Sequence, residues 1–197
     1  MNLPNKLTML RIFLVPVFLV FIYLECIPFH YLWAMLVFIG ASVTDWFDGK
    51  IARSRNLVTT FGKFLDPLAD KILVITALAV FVELEDVCMS AIPLVIITAR
   101  EFMVSGLRLL AMEAGVVIPA GIWGKLKTAF TMVTIIAILL YLVVLHDFAG
   151  IIVIPEDVQS LIHTWVLGSL IWISTVLTVI SGVVYLKNGW KYVSATK

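Results

Sequence analysis

The chain has 197 residues, of which 62 % are hydrophobic and only 14 % are charged. A soluble domain is about half apolar and about a quarter charged, so this composition excludes an ordinary soluble fold. The formal net charge of +1 and the lack of one basic patch give no indication of nucleic-acid binding. The simplest expectation is a single membrane domain over residues 1–197.

Successive apolar segments predict an all-α integral membrane protein with six transmembrane helices. Three runs without charged residues, 26–44, 128–146 and 158–186, reach or exceed the roughly 18 residues typical of a spanning helix. A short amphipathic segment, residues 2–8, precedes the first span and predicts a juxtamembrane helix with Pro4 in its first turn. The predicted spans are residues 9–25, 31–51, 64–83, 89–112, 123–145 and 159–186.

Charge distribution predicts the orientation in the membrane. Every Lys and Arg falls on one side of the six-span topology, whereas the other side receives only acids, such as Glu25, Glu83 and Asp147. The positive-inside rule then places both termini in the cytoplasm. Neither a signal-peptide cleavage site nor an Arg- and Ser-rich transit segment is recognisable near the N-terminus. We therefore expect a bacterial plasma-membrane protein.

Four aspartates on the predicted cytoplasmic side occupy two consecutive helices. Asp45 and Asp48 are three residues apart, and Asp66 and Asp70 are four apart, so each pair shares a helix face. Antiparallel helices joined by a short turn bring all four carboxylates to the cytoplasmic end of the pair. Crowded carboxylates repel one another unless cations neutralise them, and all-oxygen ligation suits Mg²⁺, Mn²⁺ or Ca²⁺. The pattern predicts a divalent-metal site, with two ions able to clamp a phosphoryl group.

Other interpretations of these acids stay open from the residues alone. Interfacial carboxylates can pair with neighbouring cations, here Arg53, Lys63 and Lys71. Intramembrane carboxylates also occur in divalent-cation transporters, although those acids would extend through the membrane depth. A purely structural membrane subunit would leave the four aspartates unexplained.

The spacing of the acids and small residues resembles the signature of the CDP-alcohol phosphatidyltransferase family. Every fixed position of that signature is present, and the resemblance covers essentially the whole chain. Segments 3–12, 56–71, 99–111 and 124–132 are similar to the branch of the family whose acceptor is glycerol 3-phosphate. The signature positions are Asp45, Asp48, Gly49, Ala52, Arg53, Gly62, Asp66 and Asp70.

The resemblance implies an enzyme of phospholipid biosynthesis that uses Mg²⁺ or Mn²⁺, with two ions expected. It would transfer a phosphatidyl group from CDP-diacylglycerol to glycerol 3-phosphate, giving phosphatidylglycerophosphate and CMP. Asp45, Asp48 and Asp66 would be metal ligands, and Asp70 would be a ligand near the second ion and the general base. The residues implied to line the CDP-diacylglycerol site are Gly49, Ala52, Arg53, Gly62, Asn5 and Thr8. For Asn5 and Thr8, an interfacial helix cap is an equal alternative.

A cationic pocket for the acceptor phosphate is expected, because Arg and Lys suit phosphate contacts. The candidates are Arg100, Arg108, Lys125 and Lys127. Their alternative role is anchoring at the cytoplasmic membrane surface. Serine, inositol phosphate or phosphatidylglycerol stays open as another acceptor, and the family resemblance implies a homodimer.

The histidines and cysteines carry weaker signals. His30, His146 and His163 fall near the predicted outer face, away from the aspartates, and we expect them to be non-catalytic. Cys26 and Cys88 show no metal-binding spacing. Two unpaired thiols are favoured, although a bridge between them stays open.

Overall fold

A computed structural model describes the backbone of residues 3–55, 60–113 and 121–193. Side chains are described for residues 8–44, 69, 71–112 and 121–187. Within these ranges the chain is helical and contains no strand, which confirms the all-α prediction. The helices are α1 Leu3–Tyr23, α2 His30–Arg55, α3 Thr60–Glu83, α4 Ala91–Glu113, α5 Ile122–Leu142, α6 Glu156–Leu161 and α7 Gly168–Val193.

Two π-helical segments extend these helices. Val143–Asp147 continues α5, and Ile162–Leu167 joins α6 to α7. Each predicted span coincides with helix, and the last one is formed by α6, the π-helical segment and α7 together. The ends of the helices agree with the predicted ends of the spans to within several residues. The helix α2, for example, continues to Arg55, whereas the predicted span is 31–51.

The prediction of a separate juxtamembrane helix is corrected by α1, which runs without a break from Leu3 to Tyr23. No glycine or proline stands between Thr8 and Arg11 to end a first helix there. Pro4 lies in the first turn, where a missing N–H costs no hydrogen bond. The amphipathic start is therefore the first two turns of the same helix.

The chain divides into two compact units, and the first comprises residues 1–78 and 136–158. In it, α1 packs against α2. The fully buried rings of Phe18 and Phe38 meet with their centroids 6.2 Å apart, and Phe21 stacks on Trp33 at 6.3 Å. Since the later residue of α1 meets the earlier residue of α2, the two helices run antiparallel.

The second unit comprises residues 79–135 and 159–197, and in it α4 packs against α7. Apolar residues at seven-residue spacing, Ile97, Val104 and Ala111, are buried on α4. On α5 and α7 the buried contacts are partly polar, since the hydroxyls of Thr131 and Ser174 lie 2.9 Å apart. Small polar residues at such contacts are common where helices associate in membranes.

Many large apolar side chains are exposed on the described helices, including Phe13, Val95, Leu109 and Trp165. Exposed apolar surface of this extent marks contact with lipid or another protein rather than with water. Two helical stretches in the described part are long and apolar enough to cross a bilayer: Ile122–Asp147, with 26 residues, and Glu156–Lys187, with 32. Thr8–Tyr23 and His30–Thr44 are apolar but shorter. These features indicate membrane association.

Candidate active site

The aspartates of α2 continue the buried face of that helix. Ala34, Phe38 and Ala41 are buried, and they recur at intervals of four and three residues. Asp45 lies four residues beyond Ala41 and Asp48 lies seven beyond it, so both positions belong to the same helical face. The side chains of Asp45 and Asp48 themselves lie outside the described residues.

The aspartates of α3 have the corresponding placement. Ala69, Leu73 and Ala77 are buried at four-residue intervals. Asp66 and Asp70 each lie three residues before a member of this row, so they share its face. The predicted helical spacing of both aspartate pairs is thus present in the backbone. Convergence of the four carboxylates stays a prediction, because these side chains also lie outside the described residues.

The remaining signature residues flank the aspartates along the same two helices. Gly49, Ala52 and Arg53 belong to the last two turns of α2, and Gly62 belongs to the first turn of α3. Their side-chain surroundings lie outside the described residues.

The buried face of α1 leads to the same end of the first unit. Val15, Phe18 and Ile22 are buried on α1, and two polar residues, Thr8 and Arg11, extend this row towards the N-terminus. Phe18 contacts Phe38 in this antiparallel pair. A residue seven positions before Phe18 on α1 therefore lies at the same height along the helix axis as the residue seven positions after Phe38 on α2. Arg11 therefore comes level with Asp45 along the helix axis, and Thr8 with Asp48. Asn5, the other N-terminal candidate, has a side chain outside the described residues.

Two of the four predicted acceptor-binding cations come together in the second unit. Arg100 on α4 is only 9 % exposed, and Lys127 on α5 is 6 % exposed. Glu101 joins them: its Oε1 accepts a hydrogen bond from Nη1 of Arg100 at 3.1 Å and another from Nζ of Lys127. On the other side of the guanidinium, Nη2 of Arg100 donates to Oγ of Ser181 on α7 at 2.5 Å.

The other two cations are placed differently. The guanidinium of Arg108 lies 6.0 Å from the ring centroid of Tyr185, and both Arg108 and Lys125 are exposed. Eight residues make about 80° more than two full helical turns, so Arg100 and Arg108 do not point in one direction. The predicted four-residue group is therefore divided, with Arg100 and Lys127 in a buried ion-pair network and Arg108 against an aromatic ring.

Neither Ser181 nor Glu101 was among the residues predicted for the site, although Glu101 forms an ion pair with Arg100. A sequence signal for Ser181 exists in α7, where buried Ser174, Thr178 and Ser181 recur at intervals of four and three residues in a largely apolar helix. Such a polar row on an apolar helix marks the face that meets other helices.

In the described part of the chain, His30 and His146 make contacts within the first unit, and the two cysteines are unpaired. His30 Nδ1 bonds to the carbonyl oxygen of Phe21 at 3.0 Å, and His146 packs on the ring of Tyr31. Cys26 and Cys88 are exposed free thiols. Among the described side chains, no group of three His, Cys, Asp or Glu residues has a metal-binding arrangement, and the four aspartates lie outside that set.

The helical fold, its exposed apolar surface and the two aspartate pairs on consecutive helices define a helical, membrane-associated protein with an acid-rich helix pair. The family model for CDP-alcohol phosphatidyltransferases matches residues 1–180. That match covers far more than half of the sequence, so the chain belongs to the CDP-alcohol phosphatidyltransferase family.

Similar proteins agree on one name, CDP-diacylglycerol–glycerol-3-phosphate 3-phosphatidyltransferase. One of them, from Bacillus subtilis (strain 168), is 38 % identical over 96 % of each chain. A second, from Rickettsia bellii (strain RML369-C), is 38 % identical over 97 % of each chain. A third, from Haemophilus influenzae (strain ATCC 51907 / DSM 11121 / KW20 / Rd), is 41 % identical over 68 % of this chain and 73 % of its own. The branch of the family predicted from the sequence is confirmed by these relatives.

Proposed function

We propose that this chain is an integral membrane enzyme that transfers the phosphatidyl group of CDP-diacylglycerol to glycerol 3-phosphate, in phospholipid biosynthesis. The observation that carries the proposal is the full aspartate signature on α2 and α3, in a chain that aligns over nearly its whole length with transferases of that name. A divalent-cation transporter is disfavoured because the relatives are named as phosphatidyltransferases.

The four aspartates are the proposed metal ligands. Carboxylate oxygens suit hard divalent cations, and members of this family generally depend on such an ion. The register of both helices supports this role, because it continues the acids along faces that are already buried. Asp45, Asp48, Asp66 and Asp70 would hold two ions, Mg²⁺ or Mn²⁺. When bound, these ions neutralise the diphosphate of CDP-diacylglycerol and the departing CMP.

The reaction itself needs a positioned acceptor and a base. The primary hydroxyl oxygen of glycerol 3-phosphate forms a bond to the phosphorus that carries diacylglycerol, while the bond from that phosphorus to the CMP oxygen breaks. Asp70 accepts the hydroxyl proton, because a carboxylate within hydrogen-bond reach is a competent general base. Gly49, Ala52, Arg53 and Gly62 line the nucleotide site in this proposal.

Residues of α1 extend the donor site. Thr8 and Arg11 are buried and come level with the aspartates of α2, which supports contact with the nucleotide or its phosphates. A guanidinium at this level also offsets the negative charge of the carboxylates. Asn5, one turn before Thr8, is proposed to belong to the same group.

The acceptor phosphate is proposed to bind to cations of α4 and α5. Arg100 and Lys127 are the principal candidates, because they are buried side by side around one carboxylate. Arg108 and Lys125 are exposed, and in this proposal they attract the acceptor or contact lipid headgroups.

The proposed topology has six spans in a bacterial plasma membrane, with both termini and the active site in the cytoplasm. It rests on the segregation of basic residues to one side and on the apolar surface of the helices. One membrane domain over residues 1–197 and a homodimeric assembly complete the proposal.

The test is an assay of CMP release by purified protein with CDP-diacylglycerol, Mg²⁺ or Mn²⁺, and a panel of acceptors. We expect release with glycerol 3-phosphate, loss of release with EDTA, and recovery when excess metal is added. Glu156→Gln, a carboxylate change at the start of α6, is the matched control for Asp48→Asn, which should be inactive. No CMP with any acceptor would contradict the enzyme assignment, and release with serine but not glycerol 3-phosphate would change the acceptor.

A further inference from the structure

Glu101 is a partly buried acid next to the cations proposed to bind the acceptor phosphate. Its carboxylate receives hydrogen bonds from Arg100, the residue before it, and from Lys127, which is 26 positions later in the chain. A negative charge at a phosphate site is unexpected, since it repels the ligand. Its position between two cations therefore requires another explanation.

Burial provides that explanation. The side chains of Arg100, Lys127 and Glu101 are 9 %, 8 % and 14 % exposed. Two cations at such close range and low exposure would repel each other strongly, because the surrounding dielectric screens them poorly. One carboxylate between them offsets this repulsion, and two positive charges with one negative charge leave the trio at a formal +1. The trio can thus hold its shape and still attract an anion.

The α7 helix fixes the other side of Arg100. Ser181 is 2 % exposed, and its hydroxyl accepts the hydrogen bond from Nη2 of Arg100. Gly182 follows Ser181, and a Cβ atom there would lie only 3.1 Å from Cγ of Arg100. The absence of a side chain at Gly182 therefore makes room for the aliphatic part of the Arg100 side chain. The Arg100 side chain is therefore held at both of its terminal nitrogens.

One donor of this network has no partner among the described residues. Nε of Arg100 is buried and makes no hydrogen bond there, and the same is true of the Tyr185 hydroxyl on α7. Buried polar atoms are nearly always hydrogen-bonded, and in lipid an unsatisfied donor is especially costly. Phosphate oxygens are acceptors for such an N–H, so the unpaired Nε points to an anionic ligand.

We infer that Glu101, together with Ser181, is a positioning residue for the acceptor phosphate. It would hold the guanidinium of Arg100 and the ammonium of Lys127 in a fixed arrangement before the acceptor arrives, so that little ordering is left to binding. The inference rests on the proposed function, because it assigns Arg100 and Lys127 to the phosphate of glycerol 3-phosphate. Glu101 itself need not touch the substrate.

The test is the kinetics of Glu101→Gln. A positioning role and a repelling role of the acid predict changes of opposite sign in the KM for glycerol 3-phosphate. A positioning role predicts that the KM for glycerol 3-phosphate rises about tenfold or more, since charge-assisted hydrogen bonds are lost. The kcat and the KM for CDP-diacylglycerol should change little. A merely repelling charge predicts that the KM for glycerol 3-phosphate falls. An unchanged or lower KM would overturn the inference.

Controls separate this role from helix damage. Ser105→Ala removes a hydroxyl one turn further along α4, which bonds to the backbone carbonyl of Glu101 and not to its carboxylate. It should leave the KM for glycerol 3-phosphate unchanged, whereas Ser181→Ala should raise it. If Glu101→Gln does not yield folded protein, Glu101→Asp takes its place. The shortened carboxylate should raise the same KM, and an unchanged value would again overturn the inference.

A binding measurement keeps this inference distinct from the proposed function. If wild-type protein released no CMP with glycerol 3-phosphate, the proposed function would fail, but binding of inorganic phosphate could still be measured by thermal stabilisation. We expect millimolar phosphate to raise the unfolding temperature of the wild type and of Ser105→Ala, and to have less effect on Glu101→Gln. Equal stabilisation of all three, or of none, would overturn the positioning role.

Discussion

The Asp147 carboxylate accepts a hydrogen bond from the backbone N–H of Leu32 at 2.7 Å, although 115 positions separate the two residues. Leu32 is the third residue of α2, and the first N–H groups of a helix have no partner within the helix. A carboxylate at this position also interacts favourably with the helix dipole. The π-helical segment after α5 therefore caps α2, and the contacts of His146 with Tyr31 and of Phe148 with Phe29 reinforce the junction.

Asp147→Ala should destabilise the first unit because α2 loses this cap. We expect a loss of about 1 kcal/mol in the free energy of unfolding, the usual cost of losing a capping side chain. Asp147→Asn should lose less, since its amide oxygen can still accept the bond. The measurement is unfolding in detergent, with Glu156→Gln as the control for charge loss in the same part of the chain. Equal stability of Asp147→Ala and the control would disprove the capping role.

Gly182→Ala tests the space beside Arg100. The added Cβ would lie 3.1 Å from Cγ of Arg100 and 3.7 Å from Cε of Met103. Hydrogen bonds to Glu101 and Ser181 hold the guanidinium of Arg100. The aliphatic part of the Arg100 side chain therefore cannot move freely away from the added Cβ. A shift of a few tenths of an ångström at a binding group should raise the KM for glycerol 3-phosphate about threefold, in line with the sensitivity of enzymes to small misplacements.

Gly168→Ala is the matched control on the same helix, because a Cβ there meets nothing within 4 Å. Its KM should equal that of the wild type in the same CMP-release assay. Identical kinetics for the two alanine variants would show that the space beside Arg100 does not matter for the acceptor.

The hydroxyls of Thr131 and Ser174 should be energetically coupled. Thr131 Oγ1 donates its one proton to the carbonyl of Lys127 at 2.9 Å, so the Ser174 hydroxyl must donate to Thr131. A double-mutant cycle of Thr131→Val and Ser174→Ala should give a coupling of about 0.6 kcal/mol, as is typical of hydrogen bonds between membrane helices. Thr128→Val replaces a hydroxyl that bonds only to its own helix at Gly124, and it should show no coupling to Ser174.

Long uncharged runs made the helices predictable, because only a helix satisfies the backbone polar groups of such a run in lipid. The aspartate spacing likewise predicted the pairs on α2 and α3, since a signature written in steps of three and four residues can be checked on a helix without knowing its neighbours. The continuity of α1 was missed because an amphipathic start followed by an apolar run has the same pattern as two helices.

The network around Glu101 could not be predicted from the sequence. Glu101 and Lys127 belong to different helices, and Arg100 and Ser181 are 81 positions apart. Which cation reaches which acid depends on the rotation of each helix about its axis, and charge counting contains no information on that rotation. Arg108 was grouped with Arg100 although their eight-residue spacing already turns them about 80° apart on one helix, and Arg108 lies over Tyr185.

Asp70→Asn should separate proton transfer from donor binding. In the proposed mechanism the carboxylate accepts the proton of the glycerol 3-phosphate hydroxyl, and an amide cannot do so at neutral pH. CMP release should therefore fall by at least about a hundredfold, the lower end of what general base catalysis contributes. CDP-diacylglycerol should still bind to Asp70→Asn in the presence of Mg²⁺, measured by its protection against thermal unfolding, because Asp45, Asp48 and Asp66 remain.

Glu85→Gln, an exposed carboxylate change after α3, is the control and should retain full activity. Substantial turnover by Asp70→Asn would remove Asp70 from the role of base, whereas loss of donor binding would make it chiefly a metal ligand.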